Sequence, residues 1–293
     1  MESIVSGSDY TDPQKRTMRI GVDVMPAIPK DTTDRNRTSP LAFTGNKFEF
    51  RMPGSSQSVA GPNIALNTIM AEELRKFADV LENAEDFDAA LHTLVRDAFT
   101  YHKRIIFSGN GYSNDWTVEA ENRGLSNLSN AATALPTYIA QKNIDLVTRH
   151  GVFTETEYRA RHAIHLESYK KLVAIEARTA LDMAQRQILP AAVRYTNVLT
   201  DAVIAKRELG VRSRAESGLI SKLAAATDGL YDAIEKLRAD LETIPAEAEE
   251  AACYYHDVIL ADMSILRQHA DTLELLTEKS YWPFPTYSDL LFY

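Results

Sequence analysis

The sequence predicts a mainly α-helical fold with a short β-containing part at its N-terminus. From Pro62 to Lys279, apolar residues recur at steps of three and four, as on the buried face of amphipathic helices. Residues 1–62 instead hold six of the 11 prolines and short runs of alternating apolar and charged residues, which are typical of strands. With 293 residues, 45% of them hydrophobic, the chain is long enough to bury a sizeable core.

Composition excludes several classes of function. The chain has 32 Lys and Arg against 41 Asp and Glu, and this net charge of -9 disfavours general binding to nucleic acid. The single cysteine, Cys253, allows no intrachain disulfide, and the N-terminus has no apolar signal-peptide core. The sequence contains no run of 18 apolar residues, so no membrane-spanning helix is expected. We therefore expect a cytoplasmic protein that binds neither nucleic acid nor membrane.

A charged strand is predicted near the N-terminus. After the turn Thr44–Asn46, residues 47–52 alternate charged and apolar side chains, which predicts a half-buried strand with Phe48 and Phe50 facing inward. Such a strand face is either solvated or lines a cleft that binds anions and metals. The charged residues on that opposite face are Lys47, Glu49 and Arg51.

Helices follow this strand. We expect one from Pro62 to Leu81, a second from Phe87 to about Ile106, and short helices joined by loops over residues 114–150. Thr154 and Glu157 form a capping-box pattern at the start of a long helix, which Pro190 would kink or end.

The C-terminal half reads as a bundle of helical hairpins. Residues 210–214 predict a turn between long antiparallel helices, and Pro245 is expected to open the last long helix. The tail from Tyr281 to Tyr287 is aromatic and proline-rich, so its rings are expected to dock on the body of the protein.

Other possible sites have simpler explanations. His162 and His165 share a helix face, but a di-iron bundle would need paired Glu-x-x-His motifs, so core or interface histidines are favoured. Cys253 and His256 also share a face, although zinc or a catalytic dyad would need further groups. The arginines of the 210–214 turn are either solvated or make a subunit contact.

The loop Asp34–Pro40 is a stronger candidate because it brings Arg35 and Arg37 beside the charged strand. Arginine binds carboxylate and phosphate oxygens with two parallel hydrogen bonds and stays charged. A carboxylate such as Glu49 among cations is explained if it holds a divalent metal that bridges phosphates. The alternatives are a phosphate-handling site and a surface cluster of salt bridges.

Several segments resemble glutamine synthetase, and most closely the type III class, the large bacterial form. The resemblance begins with Arg35–Thr38, Lys47–Arg51 and Gly54–Asn63, and it covers nearly the whole chain from about Ile20 onward. Its further segments are His102–Phe107, Gly109–Tyr112, Lys142–Ile144, His150–Thr154, Ile188–Pro190 and Tyr281–Tyr287.

This resemblance implies an enzyme of nitrogen metabolism and glutamine biosynthesis, a glutamate–ammonia ligase. The family uses ATP to phosphorylate the glutamate side chain, and ammonia then displaces phosphate from the γ-glutamyl phosphate. It implies ATP and Mg²⁺ or Mn²⁺ as cofactors. By position, Arg37 and Arg51 would be catalytic, Arg37 and Lys47 would bind nucleotide, and Glu49 would ligate metal. Metal ions and guanidinium groups suit this role because negative charge develops on the transferred phosphoryl group.

The chain also departs from the family pattern. Ala42 stands where other classes have a further arginine. Judged by the resemblance, we also expect this chain to lack the family's N-terminal β-grasp domain and its earlier metal-ligating strands. The resemblance therefore implies the end of a glutamine-synthetase-type α/β catalytic domain (1–113), a long-helix bundle (114–280) and an aromatic tail (281–293).

We expect this C-terminal portion to be inactive when isolated. The intact family forms dodecamers whose active sites lie between subunits, so a homo-oligomer is expected. The alternative hypothesis is a non-catalytic assembly or regulatory module that docks on complete synthetase subunits.

Overall fold

The computed structural model describes residues 2–8, 17–18, 28–29, 41–43, 48–50, 54, 57–107 and 113–291. These residues are mainly helical, as the sequence predicted. The chain forms two compact units. The first comprises Met1–Leu128 and Asp145–Val152, and the second comprises Ser129–Ile144 and Phe153–Tyr293.

The first unit combines small antiparallel strand pairs with helices. Strand β1 (Thr17–Met18) pairs with β2 (Ile28–Pro29), and β3 (Leu41–Phe43) pairs with β4 (Phe48–Phe50). The second predicted helix ends at Tyr101 and gives way to a 3-10 turn, Lys103–Ile105, so it is shorter than expected. The helices in this part of the chain are α1 (Glu2–Ser6), α2 (Ala60–Leu81), α3 (Phe87–Tyr101) and α4 (Asn114–Asn122).

Longer helices build the second unit. Helix α5 (Ala131–Tyr138) comes first, followed by α6 (Gln141–Arg149), whose residues from Asp145 onward belong to the first unit. Beyond them, two long helical runs flank a third long helix. The remaining helices are α7 (Glu155–Met183), α8 (Leu189–Glu208), α9 (Arg214–Leu241), α10 (Ala248–Tyr254), α11 (Leu260–Leu276) and α12 (Tyr287–Leu291).

Helix α7 begins with the predicted capping box. The Glu157 amide donates to Thr154 Oγ1 at 3.3 Å, and the Thr154 amide donates to Glu157 Oε2 at 2.9 Å. Each side chain thus satisfies a backbone donor that the first helical turn leaves unpaired.

Pro190 does not end the helix, which was one of its two expected effects. A π-helical turn, Ala184–Ile188, joins α7 directly to α8. Proline lacks an amide proton, so it cannot supply the usual hydrogen bond to the carbonyl four residues earlier. The wider turn accommodates this by pairing the Leu189 amide with the carbonyl of Ala184.

A second π-helical turn, Tyr255–Ile259, joins α10 to α11. The sequence did not predict it, and the helix itself starts at Ala248 rather than at Pro245. The side chain of Glu247 caps this start by accepting from the amides of Glu249 and Glu250, both at 2.8 Å. The acid at position 247, not the proline, therefore fixes where the helix begins.

The core of the second unit centres on α9. The apolar steps of three and four predicted over Pro62–Lys279 are confirmed here as a buried stripe, because Leu223, Leu230 and Leu237 are fully buried. Each such side chain contributes about 1.5–3 kcal/mol relative to an exposed one. The turn before α9 is also confirmed, with Gly210 in the left-handed region at φ 73°.

The aromatic tail docks as expected. Trp282 and Phe284 pack against the core of the second unit, and the Tyr281 ring centroid lies 5.3 Å from that of Tyr195. Among the described residues, no helix is both long and apolar enough to span a bilayer.

Candidate functional site

The hairpin of β3 and β4 carries the one predicted site residue that the structure describes. Its antiparallel register pairs Leu41 with Phe50, Ala42 with Glu49, and Phe43 with Phe48. The predicted strand is therefore present, with Glu49 at its centre. The register also sets position 42, where other classes have an arginine, directly opposite the predicted metal ligand.

The side of β4 that is covered differs from the prediction. Phe48 and Phe50 are 59% and 36% exposed, whereas Glu49 between them is half-buried. Exposed and half-buried residues alternate along the strand, as expected. The prediction that Phe48 and Phe50 face inward is wrong. An apolar strand face is buried only where another layer packs on it, and the local sequence pattern cannot specify that layer.

The other predicted site residues, Arg37, Lys47 and Arg51, lie outside the described residues. Their positions relative to Glu49 are therefore not given by the structure, and their roles stay predictions. The glycine-rich segment 109–111 also lies outside the described part of the chain.

A carboxylate cluster that the sequence did not reveal lies between α2 and the end of α6. Glu72 has a side chain only 6% exposed. Arg75 holds both of its oxygens at 3.1 Å, Arg149 bonds Oε1, and His150 Nε2 lies 2.8 Å from Oε2. Two partners of the carboxylate thus come from residues more than 70 positions along the chain.

These contacts stabilise the ionised form of the acid. Hydrogen bonds from Arg75, and then from His150, lower the pKa of Glu72 from its ordinary 4.5 to about 2, with a smaller electrostatic contribution from Arg149. Because both oxygens of Glu72 already accept hydrogen bonds, this carboxylate stabilises the fold of the first unit and is not available as a catalytic base.

A second buried carboxylate links α9 to α11. Asp262, only 4% exposed in its side chain, receives a hydrogen bond from Lys236 Nζ at 2.6 Å, and the same ammonium donates to Asp240 at 2.7 Å. Burial raises the pKa of Asp262, whereas the hydrogen bond from Lys236 lowers the pKa of Asp240. The ammonium of Lys236 therefore forms ion pairs with two acids at once, the buried Asp262 and the more exposed Asp240.

The histidine candidates belong to packing arrangements. His162 is buried, with its ring stacked 6.4 Å from that of Tyr138, and His165 makes an edge contact with the same tyrosine. The nearest carboxylate to His162 is Glu249, at 3.7 Å from Nε2. Within the described ranges, no three His, Cys, Asp or Glu side chains come together as a metal site.

The remaining candidates are exposed. Cys253 is solvent-exposed, and His256 Nδ1 lies 2.7 Å from Asp257 rather than from the thiol. For a divalent cation, Glu49 offers oxygen chemistry of the right kind, and it would be one ligand of a larger set.

Comparisons with known proteins cover between 90% and 100% of the chain for three relatives, and part of it for one family profile. A profile described as the glutamine synthetase C-terminal domain matches residues 90–207. A type-3 glutamine synthetase of Dictyostelium discoideum is 34% identical over 303 aligned positions that cover 100% of this chain. A glutamine synthetase of Butyrivibrio fibrisolvens is 37% identical over 90% of the chain, and one of Bacteroides fragilis (strain YCH46) is 34% identical over 98% of it.

The chain spans about two fifths of the length of these curated relatives. The matched regions make up 41%, 38% and 41% of the three proteins, respectively. The similarity thus covers most or all of this chain but less than half of each relative.

Proposed function

We propose, from the premise that this chain belongs to the glutamine synthetase family, that it is the C-terminal portion of a type III enzyme. That enzyme would ligate ammonia to glutamate, consuming ATP and passing through γ-glutamyl phosphate. The observation that carries the proposal is the similarity, along all or nearly all of the chain, to a type-3 glutamine synthetase and to a second glutamine synthetase. We assign residues 1–113 to the end of the catalytic domain, 114–280 to the helical region and 281–293 to the tail.

The proposed site comprises Glu49 on β4 and three residues close to it in the sequence. Glu49 would hold Mg²⁺ or Mn²⁺, and a metal at this position would neutralise charge between the nucleotide phosphates. Arg37 would bind an ATP phosphate and the transferred group, and Arg51, two residues after Glu49 in the sequence, would orient substrate. Lys47 would add a nucleotide contact. Guanidinium groups suit this role because they bind phosphoryl oxygens in a fixed, bidentate geometry.

We propose that the isolated chain is inactive. A metal held by one carboxylate is weakly bound, since divalent cations of this kind need several oxygen ligands. The missing ligands would come from residues that precede this region in the relatives, and from neighbouring subunits of a homo-oligomer. ATP, glutamate and ammonia would bind only in that complete site.

A chimera tests the proposal directly. This chain would replace the matching 41% of the Bacteroides fragilis enzyme, and ADP release dependent on both glutamate and ammonia would be measured. We expect activity from the chimera and none from the chain alone. Elution volume and helical circular dichroism would establish that each protein is folded and assembled.

Glu49→Gln in the chimera then tests the site. It removes the charge of the metal ligand without changing its shape, so we expect activity to fall by about 100-fold or more. Glu73→Gln is the matched control, because Glu73 is an exposed acid whose partner is Lys76, at 2.7 Å. That variant should stay within about twofold of the parent. Full activity in the Glu49 variant, or in the chain alone, would contradict the proposal.

The alternative function, a non-catalytic module that docks on complete synthetase, is favoured by one observation. The second unit has a continuous apolar core of its own around α9. Sedimentation of the chain mixed with a complete type III enzyme would distinguish the two functions. A chain that remains a monomer beside the enzyme, and never joins its assembly, would count against docking.

A further inference from the structure

The second unit contains a cavity of about 250 Å³ whose walls are rich in positive charge. One wall is helix α7, and the other is the segment from the loop before α10 to the start of the second π-helical turn. The residues that matter for its chemistry are Glu167, Lys170, Lys171, Arg178 and Tyr255.

Helix periodicity explains how α7 presents three cations to one space. Lys170 and Lys171 lie one turn before Ala174, and Arg178 lies one turn after it, so all four share a face. Ala174 is 7% exposed and lines the cavity. Its small side chain leaves room between the long cationic ones, so the cavity has a short apolar floor and charged ends.

The positive charge is only partly neutralised by neighbouring acids. Glu167 is shared by two lysines, with its oxygens 3.4 Å from Lys170 Nζ and 3.1 Å from Lys171 Nζ. Lys170 also acts electrostatically on Glu247, whose carboxylate is mainly held by backbone amides at the start of α10. Three cations therefore face one lining carboxylate.

Arg178 is the cation without a partner. Within the described part of the chain it forms no ion pair or hydrogen bond. The acid one turn further on, Asp182, is already bonded to Arg186 at 2.8 Å. A guanidinium at the edge of a cavity, with five donors unused, is available to bind a ligand.

Tyr255 provides an independent observation on the opposite wall. It is 7% exposed, it lines the cavity, and its hydroxyl makes no hydrogen bond with any described residue. This hydroxyl is therefore free to bind water or a ligand. Tyr255 is also the first residue of the π-helical turn, and such turns are frequent at functional sites.

We propose that this cavity binds a small anion with two or more negative charges, either a phosphate compound or a polycarboxylate. Arg178, Lys170 and Lys171 would provide charge, and Tyr255 would donate a hydrogen bond. The only lining carboxylate already bonds both lysines, so the remaining polar groups are donors. The volume lies just below that of common ligand pockets, which suits pyrophosphate or citrate and excludes a dinucleotide.

Calorimetric titration of the whole chain tests this site, with pyrophosphate and citrate as probes at constant ionic strength. We expect saturable binding of one probe per chain. Binding of pyrophosphate alone identifies a phosphate site, and binding of citrate alone identifies a carboxylate site. If neither probe gives more heat than sodium chloride of equal ionic strength, the proposal is overturned.

Matched variants locate the binding. Arg178→Gln should weaken it by at least tenfold, whereas Arg159→Gln should change it by less than twofold. Arg159 lies on the same helix, outside the cavity, and pairs with Glu155 at 2.8 Å. Tyr255→Phe, which keeps the ring and its packing, should weaken binding threefold or more. Unchanged affinity in the Arg178 variant would overturn the proposal.

One further variant separates this site from the proposed nucleotide residues. Arg37→Gln should leave the affinity for the probe unchanged. If Arg37→Gln abolishes binding while Arg178→Gln does not, the anion belongs to the nucleotide site and the cavity proposal fails. The activity of the chimera carrying Glu49→Gln tests the proposed function, and the calorimetric titration tests the cavity. Each proposal can therefore fail without the other.

Discussion

Glu72 on α2 connects two parts of the first unit that are far apart in the sequence, because its side chain contacts Arg149 and His150. Its carboxylate is almost completely removed from solvent, yet it is ionised because two arginines and a histidine surround it. Buried charges are stable only when they are paired and hydrogen-bonded. Since every oxygen of Glu72 has a partner, the ionised acid is required for the contact between α2 and the end of α6.

The pKa of Glu72 sets the pH range of this contact. The folded protein holds the pKa at about 2, below the ordinary 4.5, so the unfolded chain takes up the proton more readily. The stabilisation from this site is therefore complete above pH 4.5 and is lost as the pH falls towards 2. Titration followed by the carboxyl carbon resonance of Glu72 should give a midpoint near 2.

Glu72→Gln provides the stability measurement for the same prediction. The variant should melt at a lower temperature than the parent protein at pH 6, and this difference should shrink as the pH approaches 2. Glu73→Gln, the same change one position along on an exposed acid, should show no such convergence. A carboxyl resonance that titrates near 4.5 would contradict the proposed role of the cluster.

At this scale the sequence predicted the strand that carries Glu49, but not the contacts of Glu72. The alternation of residues 47–52 located Glu49 on a strand, and β4 confirms that location. The Glu72 cluster could not be predicted, because Arg149 and His150 join it from 77 and 78 residues away. No local pattern encodes such a contact, and ion pairs over this range depend on the completed fold.

Helices α9 and α11 approach each other closely at a glycine. A Cβ atom at position 229 would clash with the ring of His269 on α11. Gly218, on the same helix, has nothing within 4 Å of such an atom. Position 229 therefore needs glycine to let the histidine ring sit on the helix backbone, whereas position 218 does not.

The two glycines should respond in opposite ways to alanine. Gly218→Ala should raise the free energy of unfolding by about 0.5–1 kcal/mol, since alanine has the higher helix propensity. Gly229→Ala should lower it by about 1–3 kcal/mol, because the added methyl group displaces the ring. Urea denaturation followed by circular dichroism measures both changes.

A double-mutant cycle isolates the contact behind this difference. In a His269→Ala background the obstruction is gone, so Gly229→Ala should become stabilising, as at position 218. If Gly229→Ala stabilises the parent protein too, the close approach of α9 and α11 does not constrain this position.

Among the elements, those with a strong repeat were predictable. The stripe of α9 and the capping box of α7 follow from local spacing and local hydrogen bonds, so sequence alone sufficed. The π-helical turns at 184–188 and 255–259 were not predicted, because each inserts a residue into an otherwise regular run. The sequence indicates such an insertion only indirectly. For the first turn the one indication is Pro190, which predicts a disturbance of the helix but not its form.

For the molecule as a whole, the apolar core is distributed unevenly. Among the described residues, the buried apolar side chains belong to the second unit, with Val147 of the first unit as the exception. Apolar residues of α2 remain in contact with solvent instead, with Ile69 and Leu74 48% and 58% exposed. A unit that folds independently needs its own core, and the second unit has one.

We therefore expect residues 129–293 to fold without the preceding part of the chain. This fragment should unfold in a single cooperative urea transition, and its melting temperature should lie within about 5 °C of that of the helical transition in the whole chain. Leu230→Ala should then cost about 2–5 kcal/mol in both proteins, since Leu230 is fully buried at the centre of the core. An equal cost would mean that the core of the fragment is the native one. If the fragment instead binds a hydrophobic dye and melts without cooperativity, the helical bundle depends on the first unit, and the idea of an autonomous docking module loses its structural basis.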